Sequence, residues 1–575
     1  MNSFILIENQ KSKIENFLLI LFLALYSLAI QAQPDIHRVG AGDVAGSVII
    51  RAMTDELQRN MDSLYIANFE RPFFIQYAMK TGRLFQVQAT MGALTGVNDL
   101  PMSTMAVQVL VGNYQLANIN LSNSDYRSSG RNDTAPIDNN YDEIRRRLWL
   151  LTNNVYKTAI EEYGNKMASI RQLNLPVEVL ELPDFTQLPP TTYTGQANDL
   201  TYNRQYWERL ARECSEVFIN YPDIFNSNVG IEIYTGETFS VNSEGSKLLH
   251  PARMIVIAVN AYTKVEDGEE ITDRLAYYGF AEKDLPDIEQ LKKDIVAMAE
   301  NITALAKAPK MEESYTGPVM IENTALATYF TTELLAPRTG LVAFRTPLRS
   351  GGVERLMEER MNRRILATDI SVKATPFLTN YNGQALVGSY QIDAQGVTPD
   401  SALMLIENGM LRALMNDRVP TRRITETTGN RVYTYQPQGI STRVSPGVLT
   451  ITTSNGLPRD TLISILLETA RIEGLDYAYI IRTLPAGRNA ALYKISVHDA
   501  SEQLVRAAVP MRIDLNRMKR SLGASNQTMV SNMIAGGVPV SIISPDAMVI
   551  EEVDIEKRNL QNTTKLPIVS NPLNR

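Results

Sequence analysis

Apolar positions recur at helical spacing from 47 to 64, and the pattern then switches to period two. Three strand-like runs follow, Phe73–Tyr77, Leu84–Gln88 and Met105–Val111; the second alternates apolar and polar residues, as a half-buried strand does. Residues 141–172 predict a long amphipathic helix with Ile144, Leu148, Leu151 and Val155 on one face. Pro183, Pro189 and Pro190 mark 180–200 as a loop. A second helix, over about 202–219, lines up Trp207, Leu210, Ala211, Cys214, Val217 and Phe218 on one stripe. Cys214 is therefore read as an inert core thiol, with a reactive cysteine as the alternative. Residues 229–263 predict a strand meander, and 286–307 a helix with Asp, Glu and Lys on its wet side. From 315 to 455 short β-type runs alternate with glycine and proline turns, which suggests a barrel or sandwich-like second domain. One helix is predicted at about 459–473, with Asp460 near its start and Leu462, Ile465, Leu466 and Ile472 at helical spacing.

The fold class this implies is α+β: an N-terminal α/β domain with an antiparallel sheet and long helices, then a C-terminal β-rich, barrel-like domain. The expected boundaries are a signal peptide at 1–32, the two domains at 33–312 and 313–562, and a loose tail at 563–575. The leader rests on the apolar run Phe17–Ile30, preceded by Lys11 and Lys13 and followed by Ile30-Gln31-Ala32 as a cleavage site. A buried N-terminal helix is the alternative. The leader implies export to a Gram-negative periplasm, with no membrane span after cleavage.

Composition narrows the function classes. The 575 residues carry a net charge of −7 and a pI near 5.4, which argues against general nucleic-acid binding. A mean hydropathy of −0.15 excludes a multi-span membrane protein. One cysteine permits no intrachain disulfide. The three histidines, His37, His250 and His498, form no pair at the spacing of a helical zinc motif.

The most specific text is Gly388-Ser389-Tyr390-Gln391-Ile392-Asp393-Ala394-Gln395-Gly396-Val397-Thr398-Pro399, running on to Leu405-Ile406-Glu407-Asn408-Gly409-Met410-Leu411. Physically it is a β-meander in which Gly396 takes positive φ and Asn408-Gly409 signals a hairpin. It resembles the hallmark of the C-terminal domain of the TldD/PmbA family of metallopeptidase-related proteins. Ser243-Glu244-Gly245 is similar to that family's N-terminal "SEG", and Thr428-Gly429-Asn430-Arg431 with Thr442-Arg443 is similar to its TGN-R segment and downstream arginine. Leu492-Tyr493-Lys494-Ile495 through Leu522-Gly523-Ala524-Ser525, Arg71-Pro72-Phe73-Phe74-Ile75 and Val111-Gly112-Asn113-Tyr114 resemble an exported, Bacteroidota-like variant. The resemblance implies a two-domain protein that dimerises, either with itself or with a zinc-bearing sister. Catalytic members of the family hold zinc through HExxxH on a helix and a later cysteine.

Here the corresponding segment is Ala327–Pro337. Thr332 and Pro337 stand where the histidines would be, and Glu333 keeps the glutamate's place. Neither threonine nor proline is a useful zinc ligand, and no cysteine follows Cys214. No metal site and no cofactor are therefore expected. Glu333 is the candidate catalytic position. The resemblance makes Arg431 and Arg443 candidate contacts for a peptide, since a guanidinium is a planar double donor. The carboxylates Glu354, Glu358 and Glu359 read as a solvated helix face rather than a cation site, His250 and His498 as unligated, and Asp417–Arg423 as a loop of solvated charge or a dimer contact. The expected function is a non-catalytic subunit of a peptide-processing complex that holds peptide on exposed β edges. The alternatives are an active metallopeptidase with unrecognised or partner-supplied ligands, and an envelope peptide-binding protein.

Overall fold

The computed structural model describes residues 47–121, 130–173, 181–195, 202–337, 339–348, 357–436, 438–484, 486–558, 569 and 571–573. The leader-peptide expectation, Glu354 and most of the expected tail lie outside the described residues.

The first half runs α1 (Val48–Ser63), β1 (Pro72–Thr90), β2 (Ala93–Val111), β3 (Gly130–Thr134), α2 (Tyr141–Leu173), β4 (Thr192–Thr194), α3 (Arg204–Glu216), β5 (Asn226–Asn242), β6 (Lys247–Lys264), β7 (Glu270–Gly279) and α4 (Ile288–Lys307). The two strand-like runs at 73–77 and 84–88 are one strand of 19 residues. The hairpin to β2 turns at Met91-Gly92, both at positive φ, the conformation a two-residue hairpin loop needs. The sheet order is β3-β2-β1-β5-β6, with β4 parallel and β7 antiparallel to β6.

Strand parity decides what each face meets. Odd residues of β1, β5 and β6 meet the helices: Ile75, Tyr77 and Met79 pack with α1 and α2, and Phe85 and Val87 pack with α3 and α4. Cys214 lies in the second of these clusters at 1% exposure, and burial pushes its thiol up to about 12. At neutral pH it is an apolar filler.

The second half opens with β8 (Tyr315–Glu322) and α5 (Thr324–Leu334), then β9 (Ile370–Ala374), β10 (Asn380–Tyr381), β11 (Gln384–Ala385), β12 (Leu403–Glu407) and β13 (Met410–Leu411). It continues through β14 (Arg431–Tyr433), β15 (Thr442–Val444), β16 (Val448–Thr453), β17 (Gly456–Leu457), α6 (Arg459–Ile472), β18 (Tyr477–Arg482), β19 (Ala491–Ser496) and β20 (Glu502–Val505). It closes with β21 (Ala508–Pro510), α7 (Leu515–Met518), β22 (Ser521–Ser525), β23 (Thr528–Ala535), β24 (Val538–Pro545) and β25 (Ala547–Lys557). Asn408 and Gly409 take positive φ in the loop between β12 and β13, as their text predicts.

Two sheets dominate this half. One has the order β13-β12-β9-β16-β24-β23; the other is β17-β22-β25-β8-β18-β19-β20, with β21 beside β25. Both remain open, so the β-rich half is a sandwich rather than a closed barrel. Between them lies a core that includes Val319 and Ile481 from one sheet, Val372 and Ile542 from the other, and Leu326, Phe330 and Leu334 of α5. Helix α5 is absent from the helices predicted by periodicity, because its polar residues are split between buried Thr324 and Glu333 and exposed Thr328 and Thr332, which leaves little amphipathic contrast. Helix α6 covers the other face of the second sheet through Leu462, Leu466 and Ala470. Among the described residues no helix is long and apolar enough to cross a membrane.

Candidate functional site

Helix α5 carries the position expected for chemistry. It ends at Leu334, so Pro337 lies beyond it and cannot share a helical face with Thr332. Thr332 is exposed, and its hydroxyl donates to the Thr328 carbonyl at 2.8 Å. Glu333 is 4% exposed. Both of its oxygens are taken by Arg512, from Nε at 2.7 Å and NH2 at 2.9 Å. One guanidinium thus occupies the carboxylate in two parallel hydrogen bonds. Cys214 lies in the first half's core, far along the chain from this helix. Among the described residues no group of three or more His, Cys, Asp or Glu side chains is placed to hold a metal ion. Thr332, Glu333 and Pro337 as placed do not fit zinc.

The motif residues converge elsewhere, at a joint between the first half's sheet and the loops of the second. Arg418 is 1% exposed. It donates to Glu244 Oε1 at 2.5 Å and to the Thr186 carbonyl at 2.8 and 2.6 Å. Its guanidinium carbon lies 4.1 Å from the Phe185 ring centre and 5.0 Å from that of Phe74. Glu244 Oε1 also accepts from Tyr114 Oη at 2.8 Å and from the Leu188 amide at 3.3 Å. The loop around Arg418 is thus a buried anchor, which corrects the expectation of solvated charge; the aromatic rings shield it from water. Arg422 and Arg423 do face solvent.

Asp393 extends the joint. Its carboxylate accepts from the amides of Gln395 at 2.8 Å, Val397 at 2.9 Å and Arg431 at 3.2 Å. Full burial pushes its pKa up to about 7 although those three donors favour the ionised form. Arg431 pairs with Asp417 and donates from Nε to Thr442 Oγ1 at 2.8 Å. Arg443 lies opposite Val432 in the β14–β15 hairpin, half-buried beside Gly536, and makes no ion pair or hydrogen bond among the described residues. The structure therefore separates the two candidate arginines: Arg431 is engaged and Arg443 is free. Glu358 is buried with one oxygen unpartnered, so it is not on a solvated face; its short turn packs Met357 into the core. His498 is exposed near Asp476, at 3.6 Å.

The even-numbered face of the sheet holds groups that the sequence analysis missed. Lys80 is 7% exposed and has no carboxylate partner. Its Nζ donates to the Gln436 carbonyl at 2.6 Å and lies 4.5 Å from the Tyr234 ring centre. Burial pulls it down to about 8. His250 lies between Tyr193 and Tyr433, 5.3 Å from each ring centre, and its Nε2 is buried without a partner. Burial holds it down at about 4. Parity gave little signal: Lys80 falls on the same face of β1 as Gln76, Gln86 and Gln88 as well as Phe74, Ala78 and Leu84, so it reads as one polar residue among several.

Residues 351–466 match the family model of the PmbA/TldA metallopeptidase C-terminal domain. That segment is a TldD/PmbA-type C-terminal domain. No curated protein sequence matches it. Three solved structures show the TldD/PmbA fold shared over most of each chain. A proposed modulator of DNA gyrase from Bacteroides thetaiotaomicron is 11% identical, with 88% of this chain and 98% of that one covered and a TM-score of 0.54. A second proposed modulator, from Thermotoga maritima, is 13% identical, with 84% and 96% covered and a TM-score of 0.53. TldE from Thermococcus kodakarensis is 13% identical, with 88% and 100% covered and a TM-score of 0.51. In this chain the text that resembles the TldD/PmbA family builds the joint and its hairpins.

Proposed function

We propose that this protein is an exported, non-catalytic TldD/PmbA-type subunit of a peptide-processing complex, paired with a zinc-bearing sister. The observation that carries the reading is the state of α5. The helix stops before Pro337, Thr332 turns its hydroxyl back onto the helix, and Arg512 occupies both oxygens of Glu333. Such a helix supplies neither zinc ligands nor a free general base. The free Arg443 beside the β14–β15 hairpin supplies a donor for a peptide carbonyl or carboxylate. The test is hydrolysis of an unstructured peptide by the purified chain, by Glu333→Gln, and by each after mixing with an HExxxH-bearing relative. No turnover by either chain alone, with equal turnover of both mixtures, is the expected result. Turnover by the chain alone that disappears in Glu333→Gln overturns the reading in favour of an active peptidase.

A further inference from the structure

A cleft of about 430 Å³ opens at the carboxyl ends of the parallel strands β8 and β18, away from Glu333 and from the joint. Its lining includes Glu322, Asn323, Arg459, Arg482, Glu502 and Asp546. Crevices at the carboxyl ends of parallel strands are recurrent ligand sites, and the volume lies at the small end of the range of about 300–1,000 Å³ for such sites.

The charges inside are unequally matched. Glu322, at 4% exposure, accepts Nε of Arg459 at 2.6 Å and Nε of Arg482 at 2.5 Å. Arg482 turns its other two nitrogens onto Glu502 at 2.8 and 3.0 Å and lies over Tyr493. It is fully engaged. Arg459 is engaged only in part: its NH2 ion-pairs with Glu502 at 3.6 Å, and among the described residues neither terminal nitrogen donates a hydrogen bond. The Asp546 side chain likewise has no ion pair or hydrogen bond among the described residues. The cleft therefore offers two guanidinium nitrogens with unused hydrogen-bond donors, one of them beside Glu502, and one carboxylate without a partner among the described residues.

The backbone between them is strained. Asn323 takes φ 60° and ψ −144°, a region nearly restricted to glycine. It is held there by its amide on the Asp546 carbonyl at 2.7 Å and by its side-chain NH2 on the Thr483 carbonyl at 2.8 Å. Strain kept by surrounding bonds is characteristic of functional sites, and here it fixes the backbone at Asp546 against β8.

We propose that this cleft binds a small zwitterion, a free amino acid or a dipeptide, with its carboxylate on the Arg459 fork and its ammonium on Asp546. The guanidinium fork matches a carboxylate in two parallel hydrogen bonds. The site does not depend on the peptide-processing reading and survives its failure.

The test is calorimetric titration of the full chain with alanyl-alanine, its N-acetyl form and its C-terminal amide. Binding of the zwitterion is expected, with each blocked form weaker by about tenfold or more, equivalent to about 1.4 kcal/mol. Asp546→Asn should erase the difference between alanyl-alanine and its N-acetyl form, and Arg459→Gln the difference between alanyl-alanine and its amide. Asp546 has no structural partner, so Asp546→Asn remains folded and informative even where Arg459→Gln loosens Glu322. No binding up to about 10 mM, weaker than any Kd useful at cellular concentrations, overturns the proposal. So does binding that Asp546→Asn and N-acetylation leave unchanged.

Discussion

Two regions on the same face of one sheet treat buried charge in opposite ways. At the joint, Arg418 meets Glu244 and Arg431 meets Asp417, so each guanidinium has a carboxylate. Around Lys80 and His250, an ammonium is buried without a carboxylate and an imidazole Nε2 is buried without a hydrogen-bond partner, among the described residues. The paired region contains the residues whose text is recognisable. The unpaired region contains residues that the text does not mark. A buried pair is costly to break because the survivor keeps its desolvation penalty, and that ties a joint to its sequence. An unpaired buried group is costly as it stands, and it leaves a signature in pH dependence rather than in motif.

The comparison can be broken first at the joint. Arg418→Ala strands Glu244 in an apolar, aromatic setting and should destabilise the protein by about 3–5 kcal/mol, read as a loss of denaturation midpoint. A change below about 1 kcal/mol, the range of exposed pairs, would mean that the joint is solvated.

The second break is at His250. Its folded pKa of about 4 lies below the ordinary value of 6.5, so the unfolded chain takes up a proton first as pH falls. Stability is then full above pH 6.5 and falls by about 3 kcal/mol down to pH 4, at 1.36 kcal/mol per unit. His250→Phe should remove that part of the slope. An unchanged acid limb between pH 6.5 and 4 would show that the ring is protonated in the folded state.

The smallest effect is expected at Lys80. Burial without a carboxylate disfavours the ammonium, while the Gln436 carbonyl and the Tyr234 ring recover part of that cost. Lys80→Met should leave stability at pH 7 unchanged or raise it by about 1 kcal/mol. A loss greater than about 2 kcal/mol, the scale of a broken charged hydrogen bond, would place Lys80 among the paired groups.

Much of this architecture was legible in the chain. The helix at 141–172, the buried stripe through Cys214, the meander at 229–263 and the Asn408-Gly409 hairpin follow from periodicity and turn chemistry that act locally. Helix α5 was not, because its exposed face is only Thr328 and Thr332 while Thr324 and Glu333 are buried, so polarity does not track one face. The burial of Arg418 was not either. Its partners Thr186 and Glu244 lie 232 and 174 residues away, and a run of charged residues reads as surface until the rings of Phe74 and Phe185 are brought over it. The candidate position was legible as text, and its surroundings were not. Glu333 keeps a catalytic-looking place, but Arg512, 179 residues on, fills both its oxygens.

The central claim is that this chain has no zinc site of its own. Its most direct test is the zinc and transition-metal content of the full chain, purified without chelators and measured by mass spectrometry. The account predicts metal far below one ion per chain, unchanged in Glu333→Gln. Zinc near one ion per chain, in either protein, would contradict it.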